Sequence, residues 1–231
     1  MKIEIWSDFA CPFCYIGKIR FEKALSRFEH KNQVHVVYKS FQLDPQAPKV
    51  MEQNALQAHA KQKKITLEQA KSQFERATAM GKSVGLDFHF ESIHMTNTYD
   101  AHRVAKWANI EGKESLMTQR LMKAYFTDGL NLSDQSVLQA LANEVGLDQV
   151  HIKELLESTQ LSDVVDQQLQ EAIQLGIEGV PSYIFNRTYA ISGAQEEEYF
   201  LAAIEEIWEE LYEPSIPSHQ TEMCDGDFCK R

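Results

Sequence analysis

A chain of 231 residues with 43% hydrophobic content can bury a real core, and it is long enough for one domain carrying a large insertion. Its 34 acidic against 23 basic side chains give a formal charge of −11, and no cluster of Lys and Arg offers a phosphate footprint, so a nucleic-acid partner is excluded. Glu196 to Glu198 and the glutamates near Glu209 read as solvated helix faces rather than recognition elements.

Lys2-Ile3-Glu4-Ile5 alternates polar and apolar, and with Trp6 it reads as a short strand ending at Ser7-Asp8. That pattern leaves no room for a signal peptide, and no stretch approaches the roughly 18 apolar residues of a membrane span. A cytoplasmic protein without a membrane partner is expected, in a compartment where structural disulfides are uncommon. From Cys11 the period changes, and Ile16, Ile19, Leu25 and Phe28 approximate a helical stripe. Pro12 suits the first helical position, which places Cys11 at the N-cap. A second strand follows over 34–38 and closes at Asp44-Pro45, completing the opening of a β-α-β unit.

From about 50 to 175 the periodicity is helical. Thr66 with Gln69 forms a capping box, and Leu116, Met117, Leu121, Ala124 and Tyr125 mark a helix stopping near Gly129. Ser133 is expected to cap a helix that Gly146 ends, and Ser162 and Gly176 bracket another with Val165, Leu169 and Ile173 inward. Strand signals return at 182–185, and Asn186-Arg187 reads as a two-residue turn into a strand over 188–191. A closing helix runs from about Gln195 to Tyr212, and a polar tail follows Pro214. The fold class expected is α/β: a discontinuous domain over 1–48 and 177–212, a helical insertion over 49–176, and a cysteine-containing tail over 213–231.

The chemistry sits in WSDFACPFCYIG, residues 6 to 17, where Cys11 and Cys14 flank Pro12-Phe13. A sulfur at the N-cap faces free backbone N–H groups and the positive end of the helix dipole, both of which favour thiolate, the attacking species in disulfide exchange. Cys14, nearly a turn further in, is placed to resolve a mixed disulfide. A zinc half-site, a structural bridge and a pair of packed core cysteines fit the same spacing. His89 and His94 are further potential metal ligands, though nothing in their spacing requires a metal, and none is expected. Asn97 and His102 read from spacing alone as a helix cap and a structural or solvated histidine.

SDFACPFCYIG, followed downstream by GVPSYIFN, resembles the DsbA-type branch of the thioredoxin superfamily, and FQLDP at 41–45, NTYDAHRVAKWA at 97–108 and ISGAQ at 191–195 narrow the likeness to FrnE-like oxidoreductases, grouped with 2-hydroxychromene-2-carboxylate isomerases and kappa-class glutathione transferases. The resemblance implies a thioredoxin-like fold with an inserted helical domain and a cis peptide bond between Val180 and Pro181, facing the cysteines. It implies that Pro12, Phe13 and Val180 meet the substrate, and that the helix carrying Asn97, His102 and Arg103 overhangs the site and helps bind it. The activity implied is thiol–disulfide exchange with protein or small-molecule disulfides or thiols, with glutathione as the one candidate co-substrate and no bound cofactor. The alternative is a glutathione-dependent isomerase or transferase; those relatives carry a single Ser or Thr where this chain has Cys11. A zinc-binding interaction protein is the remaining alternative. Phe13 stands where DsbA has a histidine that stabilises the thiolate, so a less oxidising pair is expected.

The tail ends CDGDFCKR, and the Asp225-Gly226 turn lets Cys224 and Cys229 meet. Three readings follow: an intramolecular redox relay to Cys11–Cys14, a metal-binding tail using Asp225 or Asp227, and an inert end.

Overall fold

The computed structural model describes residues 1–49 and 54–212. Four strands form one sheet in the order β2-β1-β3-β4, built from β1 (Lys2–Ser7), β2 (His35–Ser40), β3 (Ser182–Phe185) and β4 (Tyr189–Ser192). β1 runs parallel to β2 and antiparallel to β3, and β3 runs antiparallel to β4. The parallel pair needs a crossover, which α1 (Pro12–Arg27) supplies. Between β2 and β3 stand α2 (Ala55–Lys63), α3 (Leu67–Ser83), α4 (Tyr99–Ile110), α5 (Glu114–Phe126), α6 (Gln135–Glu144), α7 (Gln149–Glu157) and α8 (Ser162–Gln174); α9 (Glu197–Tyr212) closes the described chain.

β1 is central, so its alternation separates two buried faces rather than core from solvent. Ile3 and Ile5 pack beneath α1 and α9 with Phe21, Tyr183 and Phe200. Trp6 faces the opposite side against Ala172 of α8 and Ile184. Glu4 shares that face at 1% exposure, and it is tolerated because Lys2, Lys39 and Arg187 all pair with its carboxylate. A separate apolar core joins the first turns of α1, with Cys11, Cys14, Tyr15 and Ile16, to α4, α5, α6 and α7. The cysteines therefore belong to the seam between sheet domain and helical block.

Local signals account for several boundaries. Thr66 and Gln69 form the reciprocal capping box, with the Gln69 N–H on Thr66 Oγ1 at 3.1 Å and the Thr66 N–H on Gln69 Oε1 at 2.9 Å. Gly146 has φ 75° just beyond α6. The cap of α6 is Asp134, not Ser133: its carboxylate accepts from the Ser136 N–H at 2.8 Å, while the Ser133 hydroxyl donates to the Asn97 carbonyl at 2.7 Å. Ile173 is 69% exposed and Leu116 60%. α8 docks through Val165 and the small Ala172, a close approach that a stripe weighted toward large residues passes over. The β3–β4 connection holds three residues, because Phe185 pairs with Tyr189, and Asn186 and Arg187 both take positive φ.

Candidate active site

α1 begins as its sequence requires. Cys11 occupies the N-cap with φ −100° and ψ 112°, and its side chain makes no capping bond. Pro12 fills the first helical position, where a missing N–H costs nothing. The turn before it is held by Asp8, whose carbonyl accepts from Cys11 N–H at 3.1 Å and whose carboxylate accepts from the N–H groups of Ala10 (3.3 Å) and Leu43 (2.7 Å). Asp8 is 2% exposed. It ties the cysteine loop to the segment after β2.

Both cysteines are free thiols and nearly equally buried, at 3% for Cys11 and 2% for Cys14. Depth of burial therefore does not separate their roles; access does. Cys11 lines a cavity of about 370 Å³ between the sheet domain and the helical block, and Cys14 does not. The cavity lining also includes Pro12, Phe13 (40% exposed) and Val180, together with Phe74 and Phe90, stacked at 4.3 Å. The Cys14 sulfur lies within reach of Cys11, the Ser7 hydroxyl and the Asp8 main-chain N–H. Burial, then the neighbouring Cys11, pushes the Cys14 thiol well above the usual range, against the two donors. Cys14 is thus held protonated behind Cys11.

The Val180–Pro181 peptide bond is cis. The Cys11 thiol donates to the Val180 carbonyl with S···O 3.5 Å, and the Pro181 carbonyl accepts from Gly193 N–H at 2.8 Å. Residues far apart in sequence, at 11–13 and at 180, meet here in the lining of one cavity.

Asn97 and His102 do not line that cavity. Asn97 Nδ2 donates to the carbonyls of Pro45 (3.1 Å) and Ala47 (3.3 Å), and its Oδ1 accepts from Gln42 Nε2 and Tyr99 N–H. It precedes the N-cap residue Thr98 and pins the segment after β2 to α4. His102, 2% exposed, donates from Nε2 to the Phe41 carbonyl at 2.9 Å and lies tilted against the Phe9 ring, centroids 4.6 Å apart. Both polar groups are consumed by scaffold bonds, so they shape the wall from behind. Their neighbour Arg103 turns the other way, toward the end of α7. His89 is held by Asp87 and the Thr127 carbonyl, and among the described residues no group of three or more His, Cys, Asp or Glu is gathered as metal ligands would be. Cys224 and Cys229 lie outside the described residues.

Gly17 is a site residue that sequence reading missed. A Cβ there would stand 2.5 Å from Tyr183 Oη and 3.1 Å from Pro181 Cγ. Its signal was a glycine inside a helical stripe, which commonly marks close packing. Alanine is normally better than glycine in a helix by about 1 kcal/mol. Here Gly17→Ala is expected instead to destabilise by roughly 1–3 kcal/mol through overpacking against β3. Urea denaturation checks the sign, and a variant as stable as the parent would contradict the contact.

The model of the DSBA-like thioredoxin domain family matches residues 2–205. A probable DsbA oxidoreductase from Streptomyces coelicolor is 35% identical with a TM-score of 0.86, covering 91% of each chain. The uncharacterized protein YwbO of Bacillus subtilis is 30% identical over 212 residues, 88% of this chain and 96% of its own. The cytosolic disulfide reductase DsbM of Pseudomonas aeruginosa shares the fold at 14% identity and a TM-score of 0.64, over 91% of this chain and 100% of that one. The α/β fold expected from sequence is thus the thioredoxin-like one.

Proposed function

We propose, for a chain that belongs to the DSBA-like thioredoxin domain family, that it is a thiol–disulfide oxidoreductase working in the cytoplasm through the Cys11–Cys14 couple. One observation carries this reading: of two adjacent buried free thiols at a helix start, only one faces a cavity. Exchange needs that asymmetry. The cavity-facing sulfur attacks an incoming disulfide and becomes the mixed disulfide, while the hidden one waits to displace it. Cys14, which does not line that cavity, is the less accessible of the two to a substrate held there.

Val180, followed by the cis Pro181, lines the cavity beside Cys11. The Val180 N–H has no hydrogen-bond partner among the described residues, which suits main-chain pairing with an extended thiol or disulfide substrate. Glutathione is a natural small partner for the same sulfur, and a structure of DsbM was solved with GSH. No bound cofactor is invoked. The cavity lining mixes apolar side chains such as Leu43, Phe74, Phe90 and Ile93 with Asp8, Asp44, His59, Lys63 and Glu178, which suits a substrate that presents both apolar and polar groups beside the sulfur.

The test is equilibration of the purified protein in glutathione buffers together with insulin reduction. A two-electron Cys11–Cys14 couple is expected, more reducing than about −120 mV, the value of the strongly oxidising DsbA, because Phe13 offers no hydrogen bond to the Cys11 sulfur. Failure to exchange with either reagent ends the reading. As for the tail, relay through Cys224 and Cys229 predicts a Cys11–tail mixed disulfide in Cys14→Ser after one equivalent of oxidant, and mass spectrometry without that species ends the relay.

A further inference from the structure

Tyr183 is fully buried, and its hydroxyl finds no hydrogen-bond partner among the described residues. A buried orphan donor weakens the resting protein, and phenylalanine would fill the ring's place without that defect. The ring is well held, at 5.3 Å from Phe21 and 4.7 Å from Phe200. The unexplained part is the oxygen.

Its position is specific. Tyr183 pairs with Ile5 across β1–β3, and Ser7, two residues beyond Ile5, points to the same face. That face lies under α1. Ser7 reaches up to the Cys14 sulfur, and Tyr183 Oη reaches up to Gly17, three residues further along the same helix and against the Pro181 ring. Only a glycine leaves room for the oxygen to come so near the helix that carries the reactive pair.

Resting on the oxidoreductase reading, we propose that the Tyr183 hydroxyl is a positioning dipole that steadies the Cys14 sulfur while it is an anion. In the reducing direction Cys11 thiolate attacks RS–SR′, forming Cys11–S–S–R and releasing R′S⁻, which takes up a proton. Cys14 then gives up its proton to solvent and attacks Cys11 Sγ, closing the Cys11–Cys14 disulfide and releasing RS⁻, which takes a proton back from solvent; the substrate gains the two electrons that the dithiol loses. In the oxidising direction the same bonds are remade in reverse, and Cys14 leaves as thiolate. Either way a buried site must briefly hold negative sulfur. Ser7 and the Asp8 N–H are its direct donors, and Tyr183 adds a dipole one turn away. Burial, with the sulfurs of Cys14 and Cys11 and the Glu22 carboxylate around it, pushes the Tyr183 hydroxyl well above its usual range, so it stays a neutral donor throughout. The remaining acidic group nearby, the Asp8 carboxylate, is turned toward Ala10 and Leu43 and also faces Tyr125.

The experiment compares Tyr183→Phe with its parent in a Cys224→Ser/Cys229→Ser background, using dithiobis(nitrobenzoate). Attack by Cys11 releases one thionitrobenzoate and resolution by Cys14 releases the second. In Tyr183→Phe the first release is expected unchanged and the second about threefold slower, the effect of losing a nearby dipole rather than a direct hydrogen bond, with its pH profile displaced upward and thermal stability no lower. A second release at the parental rate with an unmoved profile overturns the inference alone. Two releases slowed together with a lower melting temperature overturn it as well, by making the hydroxyl structural. A parent that never gives the second release removes the oxidoreductase reading and this inference with it.

Discussion

Cys11→Ala is expected to lower insulin reduction and oxidative refolding to the uncatalysed rate, whereas Cys14→Ala retains the first step and accumulates mixed disulfide. The difference follows from access. Cys11 is the sulfur on the cavity wall, and the Cys14 thiol, though hardly more buried, lies off that wall among Cys11, Ser7 and Asp8. Removing Cys11 removes the only sulfur of the pair that a substrate can touch. Removing Cys14 leaves attack intact, but nothing then displaces the captured group. Intact-mass measurement with glutathione disulfide separates the cases: one bound glutathionyl at position 11 in Cys14→Ala, and none at position 14 in Cys11→Ala. Cys11→Ser bears on the alternative chemistry. A glutathione transferase or isomerase that works through a hydroxyl would tolerate that substitution, and an oxidoreductase would not. Retained glutathione-dependent activity in Cys11→Ser would therefore move the assignment away from redox exchange.

The strand–helix–strand opening was legible because local chemistry and tertiary role coincide there. Pro12 can only begin a helix, Cys11 must then precede it, and the change of period at that point is sharp. Capping residues were legible for the same reason where the bond is reciprocal, as at Thr66 and Gln69. They were not where two adjacent residues compete: Ser133 and Asp134 both suit an N-cap, and only the long-range bond of Ser133 to Asn97 decides between them. The site divides along similar lines. Cys11 and Cys14 announce themselves by spacing, but nothing in NTYDAHRVAKWA reveals that Asn97 and His102 spend their polar groups on the segment after β2. Gly17 and Tyr183 acquire meaning only when α1 is laid on β3, since neither is near the other in sequence. Side chains whose partners are local can be read in advance; those whose partners are set by packing cannot.

Packing also makes Arg103 the residue on which the helical block depends most. It is 3% exposed, and its guanidinium donates to the carbonyls of Gln160 (2.9 Å), Ser158 (2.6 Å) and Leu155, and pairs with Asp100 at 2.8 Å. Leu155 and Ser158 carry carbonyls at the end of α7; the first also accepts from the Ser158 N–H at 3.3 Å, and the second lies beyond the helix. A planar fork of five donors meets several acceptors at once, and a lysine ammonium on a flexible stem does not. Arg103→Ala would leave the half-buried Asp100 carboxylate with Lys49 alone and take a donor from the Gln160 and Ser158 carbonyls, and it is expected to lower the unfolding free energy by about 2–4 kcal/mol, with Arg103→Lys recovering less than half. Urea denaturation measures both, and a loss below about 1 kcal/mol for the alanine variant would mean that water replaces the guanidinium without penalty. The consequence reaches the cysteines through the chain itself. The α7–α8 turn that Arg103 holds sets the start of α8, which Tyr99 ties again through Asp166 at 2.8 Å, and the end of α8 delivers Val180 and Pro181 to Cys11. Because α8 keeps that second tie, folded Arg103→Ala is expected to retain Cys11 reactivity toward glutathione disulfide within a few-fold of the parent, separating what holds the block together from what does its chemistry.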